Sequence, residues 1–385
     1  MYWILFETFT LGIEMKFSAD RKKLSGALTQ VQGITSRKTN LSITSDVLIK
    51  AAGSELIITA NDLETVFCGT YEADVESDGI ISINSKKMFE IIKEYPDTQF
   101  PVNEIENRWV EIGEGNIQYH IVSSDCENFP ETPLIENISF IEVDSVQFKK
   151  MVDVTSVIGF SPDEKRIYVL GALLEKVSEE DGNILRMVST DSRRLNCIDI
   201  PYVGDFDIPE ETIIIPKKGL SELSKFIDNQ GTLQIGVKDN HFIAKKENEM
   251  VMIKLLSGDY PDYRRVLNTE SFTPIEINRA MFFLMMKRMS ILVSEDYKSV
   301  IFNFKENALV VTITNPEIGE SKEEFPITYS GEPFESAFNP KFFIDAINVI
   351  RNDTITLHVK DSRNPCVVQG SDNTQLICAI MAMSV

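Results

Sequence analysis

Residues 185–191 read LRMVSTD, a strand-like run of apolar and β-branched residues that ends in a short polar turn. Similar runs occur at 56–62, which reads LIITAND, and at 309–315, which reads LVVTITN. The residues that close the three runs are Asp62, Asp191 and Asn315, at intervals of 129 and 124 residues. A nearly constant interval of this length is typical of a chain built from repeated domains.

Two kinds of amphipathic helix recur around these strands. The longer kind places apolar residues at i, i+3 or i+4, and i+7, as Leu24, Leu28 and Val31 do in the first copy. We predict the longer helices at 21–31, 145–158 and 278–292. We predict the shorter helices at 85–95, 216–228 and 340–351. Pro216 and Pro340 suit the first turn of two of them, because no backbone N–H is needed there.

The repeats predict three domains of about 124 residues each, a normal domain size. Each would hold two helices and many short strands, so the predicted fold class is α+β. We predict domains at 15–137, 138–270 and 271–385, after an N-terminal extension at 1–14. The extension, MYWILFETFTLGIE, lacks the Lys and Arg of a signal peptide and precedes a fresh start at Met15. We expect an over-called start or an unstructured extension, with an additional β-strand as the alternative.

The 385-residue chain has 38 basic and 59 acidic residues and a formal charge of −21, which by itself argues against binding to nucleic acid. The charge is strongly segregated, however. The six predicted helical segments carry 16 basic and 6 acidic residues, so they have a charge of +10 and the remainder has −31. Helix propensity alone favours Glu about as much as Lys and predicts balanced helices. The pattern therefore favours six helices that face one polyanion.

Sequence motifs of catalysis are missing. The five cysteines form no CxxC pair, the three histidines have no metal-binding spacing, and no phosphate-binding loop or nucleophile elbow occurs. Paired carboxylates at Glu179-Glu180-Asp181 and Glu323-Glu324 are expected in solvated loops, although a hydrolase that uses such a pair stays an alternative. We expect no catalytic residues, no cofactor, no metal and no membrane span, and a cytoplasmic location.

Several motifs in a fixed order resemble those of one family. They are Met15-Lys16-Phe17, Thr190-Asp191-Ser192-Arg193-Arg194-Leu195, Pro216-Lys217-Lys218-Gly219, the run PDYRRVL at 261–267, Thr328-Tyr329-Ser330-Gly331, and Met381-Ala382-Met383. From Met15 to Val385 the chain resembles the bacterial DNA polymerase sliding clamp family, the beta subunit of the DNA polymerase III holoenzyme. The resemblance implies three clamp domains, each with two helices on antiparallel sheets, and a head-to-tail dimeric ring around double-stranded DNA without catalytic activity.

The resemblance also implies DNA-facing and interface residues. The resemblance places Lys38, Lys86, Lys93, Lys217 and Arg265 at DNA-facing positions. The charge of the helices adds Lys149, Lys150, Lys218 and Arg279 to the predicted DNA-facing residues, and Arg37 lies next to Lys38, which stands where an Arg is common. The homodimer interface would pair Ile291 and Leu292 of the third domain with Tyr119 and Ile121 of the first. The acidic run Glu317, Glu320, Glu323 and Glu324 would face basic residues such as Lys87, although Asn116 and Gln118 stand where more basic partners are expected.

A hydrophobic pocket for short peptide motifs of the replicative polymerase, the clamp loader and repair proteins is implied as well. Its positions would be Tyr168, Val169, Thr190, Arg193, Arg194, Leu195, Pro261, Val266, Phe342, Met381 and Met383. Arg193 stands where the family often has His, and Ala382 where Pro is frequent, so peptide preference can differ. The alternative for Met381 and Met383 is an ordinary buried final strand. The alternative function is a non-encircling acidic β-rich module that only binds peptides.

Overall fold

The structure is a computed structural model that describes residues 14–36, 40–159, 164–179, 182–204, 212–371 and 373–383. The predicted extension lies outside these residues except for Glu14. The described ranges contain eight α-helices: α1 Arg21–Thr35, α2 Ser85–Glu94, α3 Ser145–Ser156, α4 Ile167–Leu170, α5 Lys217–Phe226, α6 Arg264–Leu267, α7 Arg279–Met289 and α8 Pro340–Val349. The six longer ones coincide with the six predicted segments to within a few residues at each end. No helix in the described ranges is long and apolar enough to cross a membrane.

Antiparallel strands make up most of the rest. The strands described in these ranges are β1 Lys16–Asp20, β2 Asp46–Ala52, β3 Glu55–Asn61, β4 Thr65–Ser77, β5 Gly79–Asn84, β6 Gln99–Ile105, β7 Trp109–Glu114, β8 Ile117–Val122, β9 Ile141–Asp144, β10 Gly171–Glu179, β11 Gly182–Thr190, β12 Arg194–Pro201, β13 Ile213–Pro216, β14 Thr232–Lys238, β15 His241–Lys246, β16 Glu249–Lys254, β17 Thr273–Asn278, β18 Val300–Lys305, β19 Ala308–Asn315, β20 Gly319–Pro326, β21 Phe334–Phe338, β22 Thr354–Val359, β23 Cys366–Gly370 and β24 Asn373–Ile380. The three repeated strand-like runs at 56–62, 185–191 and 309–315 correspond to β3, β11 and β19, as predicted.

The described residues form two compact units. Unit 1 comprises those of Met1–Val146, Gly204–Asp207 and Lys218–Leu255, and it contains a 12-stranded sheet. Along this sheet the order is β8-β7-β6-β1-β4-β16-β15-β14-β9, with β2, β3 and β5 joined to β4 through β3. The pairing of β4 with β16 places Phe67 opposite Val251. Strands of the first and second predicted domains therefore share one sheet.

Unit 2 comprises the described residues of Gln147–Val203, Ile208–Lys217 and Leu256–Val385. Its larger sheet has eight strands in the order β13-β10-β11-β12-β24-β23-β22-β17, and a second sheet has four in the order β20-β19-β18-β21. The pairing of β12 with β24 places Cys197 opposite Ile377. In this sheet, strands of the second and third predicted domains are hydrogen-bonded to one another.

Short polar side chains define where the helices begin. Asp20, Asn84, Asn278 and Asn339 each precede a helix and accept a backbone N–H from its first turn. In α1 the predicted face of Leu24, Leu28 and Val31 is buried, and in α7 Phe282, Met286 and Met289 are buried. The predicted apolar spacing is thus confirmed as the core-facing side of these helices.

Two local predictions are wrong. Pro216 ends β13, where it pairs with Gly171 of β10, and the helix starts one residue later. Its fixed φ also fits a strand end, and it donates no N–H to the ladder. The pair Glu323-Glu324 lies in β20, not in a loop: exposure alternates along this strand at the end of its sheet, so Glu324 faces solvent and Glu323 is half-buried. Glu179 ends β10, and residues 180–181 lie outside the described residues.

Candidate peptide pocket, DNA-facing cations and sheet edges

The turn between β11 and β12 lies at the centre of the residues of unit 2 that are predicted to form the peptide pocket, and the surface around this turn is called the candidate cleft. Asp191 Oδ1 accepts the backbone N–H groups of Arg193 at 2.9 Å and Arg194 at 3.0 Å, while Ser192 takes a positive φ of 72°. Thr190 is buried and donates its hydroxyl to the Arg194 carbonyl at 2.7 Å. Asp supports such turns because its short side chain bonds its own backbone. The motif Thr190–Leu195 therefore has a fixed backbone.

Tyrosines and a short helix flank this turn. Tyr168 of α4 contacts Ser192 through the two hydroxyl groups at 3.2 Å, and its ring lies edge-on to Tyr260, with 6.2 Å between centroids. Tyr260 donates its hydroxyl to the Val188 carbonyl at 2.9 Å, and burial raises its pKa. Val169 of α4 is buried. Tyrosines with bonded hydroxyl groups give this side of the cleft a rigid, partly apolar surface.

Leu195 belongs to the buried cluster beneath the turn, where it packs with Leu173, Val188, Cys197, Tyr263, Val367 and Ala379. Val266 of α6 is half-buried and packs against the same cluster, whereas Pro261 is exposed. The buried cluster supports the cleft from below. The run at 261–267 thus contributes one packed residue and one surface residue to the predicted pocket.

The C-terminal segment lies against the turn and against β21. Met381 donates its backbone N–H to the Arg193 carbonyl at 2.8 Å, and Met383 donates its own to the Ala337 carbonyl at 2.8 Å. Both methionine side chains are half-exposed, so the alternative of an ordinary buried final strand does not describe them. Flexible, polarisable side chains at this position suit binding of varied apolar groups.

Arg194 and Phe342 bring the turn and α8 together. The Arg194 guanidinium lies 4.4 Å from the Phe342 ring centroid, and it makes ion pairs with Asp191 at 3.0 Å and with Asp345 at 2.5 Å. The structure therefore assembles Thr190, Arg194, Leu195, Phe342 and Met381 directly around the turn. The exposed Arg193 side chain lies at the rim.

Two residues that contact this turn were not predicted from the sequence. Asp345 was not predicted, because a single Asp in an apolar helix gives no signal for a partner 151 residues away. Arg166 was also missed: it binds Glu164 and Ser192, and its hydrogen bond holds the pKa of the Glu164 carboxyl at about 2. The only available signal was the nearness of Arg166 to Tyr168 along the chain.

The predicted DNA-facing cations are mostly accessible. Lys86, Lys93, Lys150, Lys218 and Arg265 are exposed, the last at 88% of its side chain. Lys149 is half-buried, and so is Arg279, which donates to the Ile350 carbonyl at 3.3 Å. Arg37 and Lys38 lie outside the described residues. Within the six longer helices as observed, 15 basic and 5 acidic residues again give +10.

Lys217 is placed differently from its prediction. It is only 7% exposed, and its ammonium donates to the Ile158 carbonyl instead of facing solvent. Burial lowers the pKa of Lys217 to about 8, with Asp191 acting in the opposite direction and Arg194 in the same direction. Lys217 therefore belongs to the charged groups around the β11–β12 turn. Its basic character in the sequence gave no hint of this.

Two strands end their sheets with side chains of different character. In unit 1, β8 is the terminal strand; Tyr119 is 40% exposed and Ile121 is half-buried. In unit 2, β20 is terminal and presents Glu320 and Glu324 to solvent. Unpaired strand edges readily pair with another chain.

Residues near these edges differ in their contacts. Ile291 follows α7 and is 73% exposed, while Leu292 is half-buried. The Glu323 carboxylate accepts a bidentate pair of hydrogen bonds from Arg288, from Nε at 2.7 Å and from Nη2 at 2.6 Å. Lys87 donates to Glu90 within its own helix at 2.9 Å. Ile291 is therefore accessible to a partner, as are several other exposed apolar residues of the described chain.

Three family models match the chain in sequence. The N-terminal domain of the DNA polymerase III beta subunit matches residues 15–133, its central domain matches residues 142–262, and its C-terminal domain matches residues 264–384. The three matches follow one another in the family's order. Together they span nearly the whole chain after Met15.

Relatives and solved structures agree with these matches. The beta sliding clamp of Chlamydia pneumoniae is 30% identical over 369 residues, which cover 96% of this chain and 99% of that protein. The beta sliding clamp of Escherichia coli K12 is 25% identical over 371 residues, which cover 96% of this chain and 100% of that protein. The structure of the DNA polymerase III subunit beta from Pseudomonas aeruginosa superimposes with a TM-score of 0.88 at 26% identity, covering 96% of this chain and 100% of that one.

Proposed function

This chain belongs to the beta sliding clamp family of the bacterial DNA polymerase III beta subunit, and we propose that two copies close head-to-tail around duplex DNA. The chain is a DNA sliding clamp and not an enzyme. In this role it holds a polymerase on its template and so confers processivity. The observation that carries the proposal is the presence of all three clamp domains in order on one chain.

The ring would close through unlike surfaces. The apolar residues of β8, Tyr119 and Ile121, would meet the surface around β20 and Ile291 of a second copy, with Leu292 beside it. Such a contact is heterologous, and it closes after two copies if each contributes half a turn. β20 exposes Glu320, Lys322 and Glu324, so its solvent-facing charge is negative overall, and pairing of two β20 strands would bring like net charges together. Lys87 would contribute a positive charge on the β8 side.

The basic helices would line the path of the DNA. Their exposed cations would contact phosphates without reading bases, and the acidic remainder of each chain would repel DNA from the outer surface. We assign the accessible Lys86, Lys93, Lys150, Lys218 and Arg265 to this path, together with Lys149 and Arg279 at its margins. Binding would be topological, so weak contacts would suffice and would permit sliding.

The cleft of unit 2 would receive short peptide motifs of the replicative polymerase, the clamp loader and repair proteins. Its half-exposed methionines, the ring of Phe342 and the tyrosines supply an apolar surface, and its polar backbone groups are bonded internally. Arg193 at the rim would add a positive charge to peptide selection. We place the protein in the cytoplasm and retain 15–137, 138–270 and 271–385 as its proposed domain boundaries.

Retention on DNA tests the proposed ring. The protein, loaded onto nicked circular plasmid by the clamp loader of the same bacterium, should stay bound through gel filtration and be lost once the plasmid is cut. Blocking both ends of the cut plasmid with streptavidin should restore retention, which separates running off an end from loss of affinity. Equal retention on the circle and on unblocked linear DNA would contradict the topological mechanism.

A further inference from the structure

The Arg194 guanidinium lies between two carboxylates from distant parts of the chain. Its Nε donates to Asp191 Oδ2 at 3.0 Å, and its Nη1 donates to Asp345 Oδ2 at 2.5 Å. Only 11% of the Arg194 side chain is exposed, so these charge-assisted bonds compensate for its removal from water. The bond to Asp345 connects the β11–β12 turn to α8, which is 151 residues further along the chain.

Asp345 is carried by a helix whose position is fixed. The neighbouring Phe343 is fully buried, where its ring stacks on Phe302 with 5.1 Å between centroids and meets Phe282 edge-on at 5.6 Å. Asn339 caps the start of the same helix by accepting the Lys341 N–H at 3.0 Å. A carboxylate on an element anchored in this way can hold a partner in one place.

Phe342 lies on the same face of α8 as Asp345, because residues three apart are neighbours on a helix. The guanidinium that Asp345 binds also lies 4.4 Å from the centre of the Phe342 ring. Arg194 is thus paired with one residue of this face and stacked on another. If the ion pair with Asp345 were lost, Arg194 would keep its ion pair with Asp191, and its contact with α8 would be reduced to the stacking on Phe342.

The charges around Arg194 balance one another. Asp191 and Asp345 supply two negative charges, while Arg194 and the buried Lys217 supply two positive ones. Lys217 is close enough to Asp191 and Arg194 for both to influence its pKa. Loss of the charge of Asp345 would leave an excess positive charge in a poorly hydrated place, which is unfavourable.

We propose that Asp345 is a positioning residue of the peptide pocket, which holds Arg194 against Phe342 and so presents a preformed wall to an apolar peptide side chain. This inference rests on the proposed peptide-binding function of the cleft. Met381 and Met383 can adapt to a ligand, and a fixed aromatic wall opposite them lowers the ordering required on binding. Asp345 would therefore act on peptide affinity without touching the peptide.

Peptide titration of charge variants tests the inference. The probe is a fluorescein-labelled copy of the C-terminal segment of the replicative polymerase subunit from the same bacterium, bound to the full-length protein and followed by anisotropy. Asp345→Asn should weaken binding about tenfold, because it removes the charged partner that holds the largely buried Arg194 against α8. Asp345→Glu keeps the charge and should recover affinity to within about threefold of the original chain. Asp353→Asn, which removes an exposed carboxylate, is the matched control and should bind normally.

A second pair of variants, each checked for the native urea-unfolding transition, tests whether Asp345 and Phe342 act on the same wall. Phe342→Leu should weaken binding by itself, and the double variant with Asp345→Asn should bind no worse than the weaker single variant, since both act on the same wall. Losses that multiply in the double variant would overturn the inference, as would normal binding by Asp345→Asn. A failure of the original chain to bind the peptide would instead contradict the proposed pocket, so the two failures are distinguishable.

Discussion

Unit 2 uses charge in two different ways at β20 and at Arg194. Glu320 and Glu324 of β20 face solvent on a strand with an unpaired edge. The Arg194 guanidinium, by contrast, is largely withdrawn from water, with 11% of its side chain exposed, and it is paired with Asp191, which is 19% exposed, and with Asp345, which is 39% exposed. Exposed charges are screened and act on what approaches, whereas buried charges must be neutralised locally and then fix the groups around them.

The difference bears on the function of a clamp. A ring must be opened and closed, so its proposed interface needs surface that water can reach in the free chain. A peptide pocket gains affinity when its walls are already in place. At β20, the sign of the exposed charge would therefore decide which surface of a second copy can approach. At Arg194, the position of the pocket wall would depend on whether every charge has its partner.

The largest expected effect follows from removing one arginine from each region. Arg194→Ala leaves two partly exposed carboxylates without their shared partner and should destabilise the native chain by about 1.5–3 kcal/mol. Arg288→Ala breaks the exposed contact with Glu323 and should leave stability nearly unchanged. Urea unfolding of both variants under identical conditions checks this. Equal losses of unfolding free energy in the two variants would show that burial of the arginine does not distinguish the two regions.

A charge test at the partner edge is expected to have the next largest effect. Tyr119→Asp combined with Ile121→Asp should raise the dimer dissociation constant at least about 100-fold, because two acids would face the acids of β20. Tyr119→Lys with Ile121→Lys removes the same apolar surface but offers the opposite sign, and its effect should be much smaller. Sedimentation of the two variants across a dilution series measures the difference. Identical dissociation constants would contradict the assignment of β20 as the partner.

The smallest effect concerns Lys217, whose pKa is lowered to about 8 from an ordinary 10.5 by burial. Between these values the unfolded chain binds more protons than the native chain, so native stability contributed by this group rises as pH increases. Relative to Lys217→Met, the original chain should gain about 2 kcal/mol between about pH 7 and about pH 10. Parallel urea titrations at each pH measure this gain. A difference between the two chains that stays constant with pH would mean that Lys217 is solvated.

Local sequence was sufficient to predict the helices, the repeated strands and their threefold repetition. Helix α1 follows from the spacing of Leu24, Leu28 and Val31 and from Asp20 at its start, all of which act within a few residues. The turn at 190–195 likewise follows from Asp191 bonding its own backbone. Family motifs then predicted the residues of a peptide pocket, and the structure brings Thr190, Arg194, Leu195, Phe342 and Met381 together around that turn.

Local sequence patterns could not predict the contacts between residues that are distant along the chain. Lys217 matches a basic motif, yet its side chain turns inward to Ile158, because a carbonyl and opposite charges are available there. Asp345 acquires its role only when α8 meets the β11–β12 turn. Likewise, the pairing of β4 with β16 and of β12 with β24 joins strands that the repeat assigns to different domains.

The sequence by itself determined the threefold α+β repeat, the helix faces and the segregation of positive charge onto helices, because periodicity and charge are properties of neighbouring residues. The tertiary structure alone decided which cations remain in water, which carboxylates neutralise Arg194, and which strands end their sheets at β8 and β20. Those outcomes depend on which distant groups share a low-dielectric space or a hydrogen-bonded edge, and no local spacing encodes that.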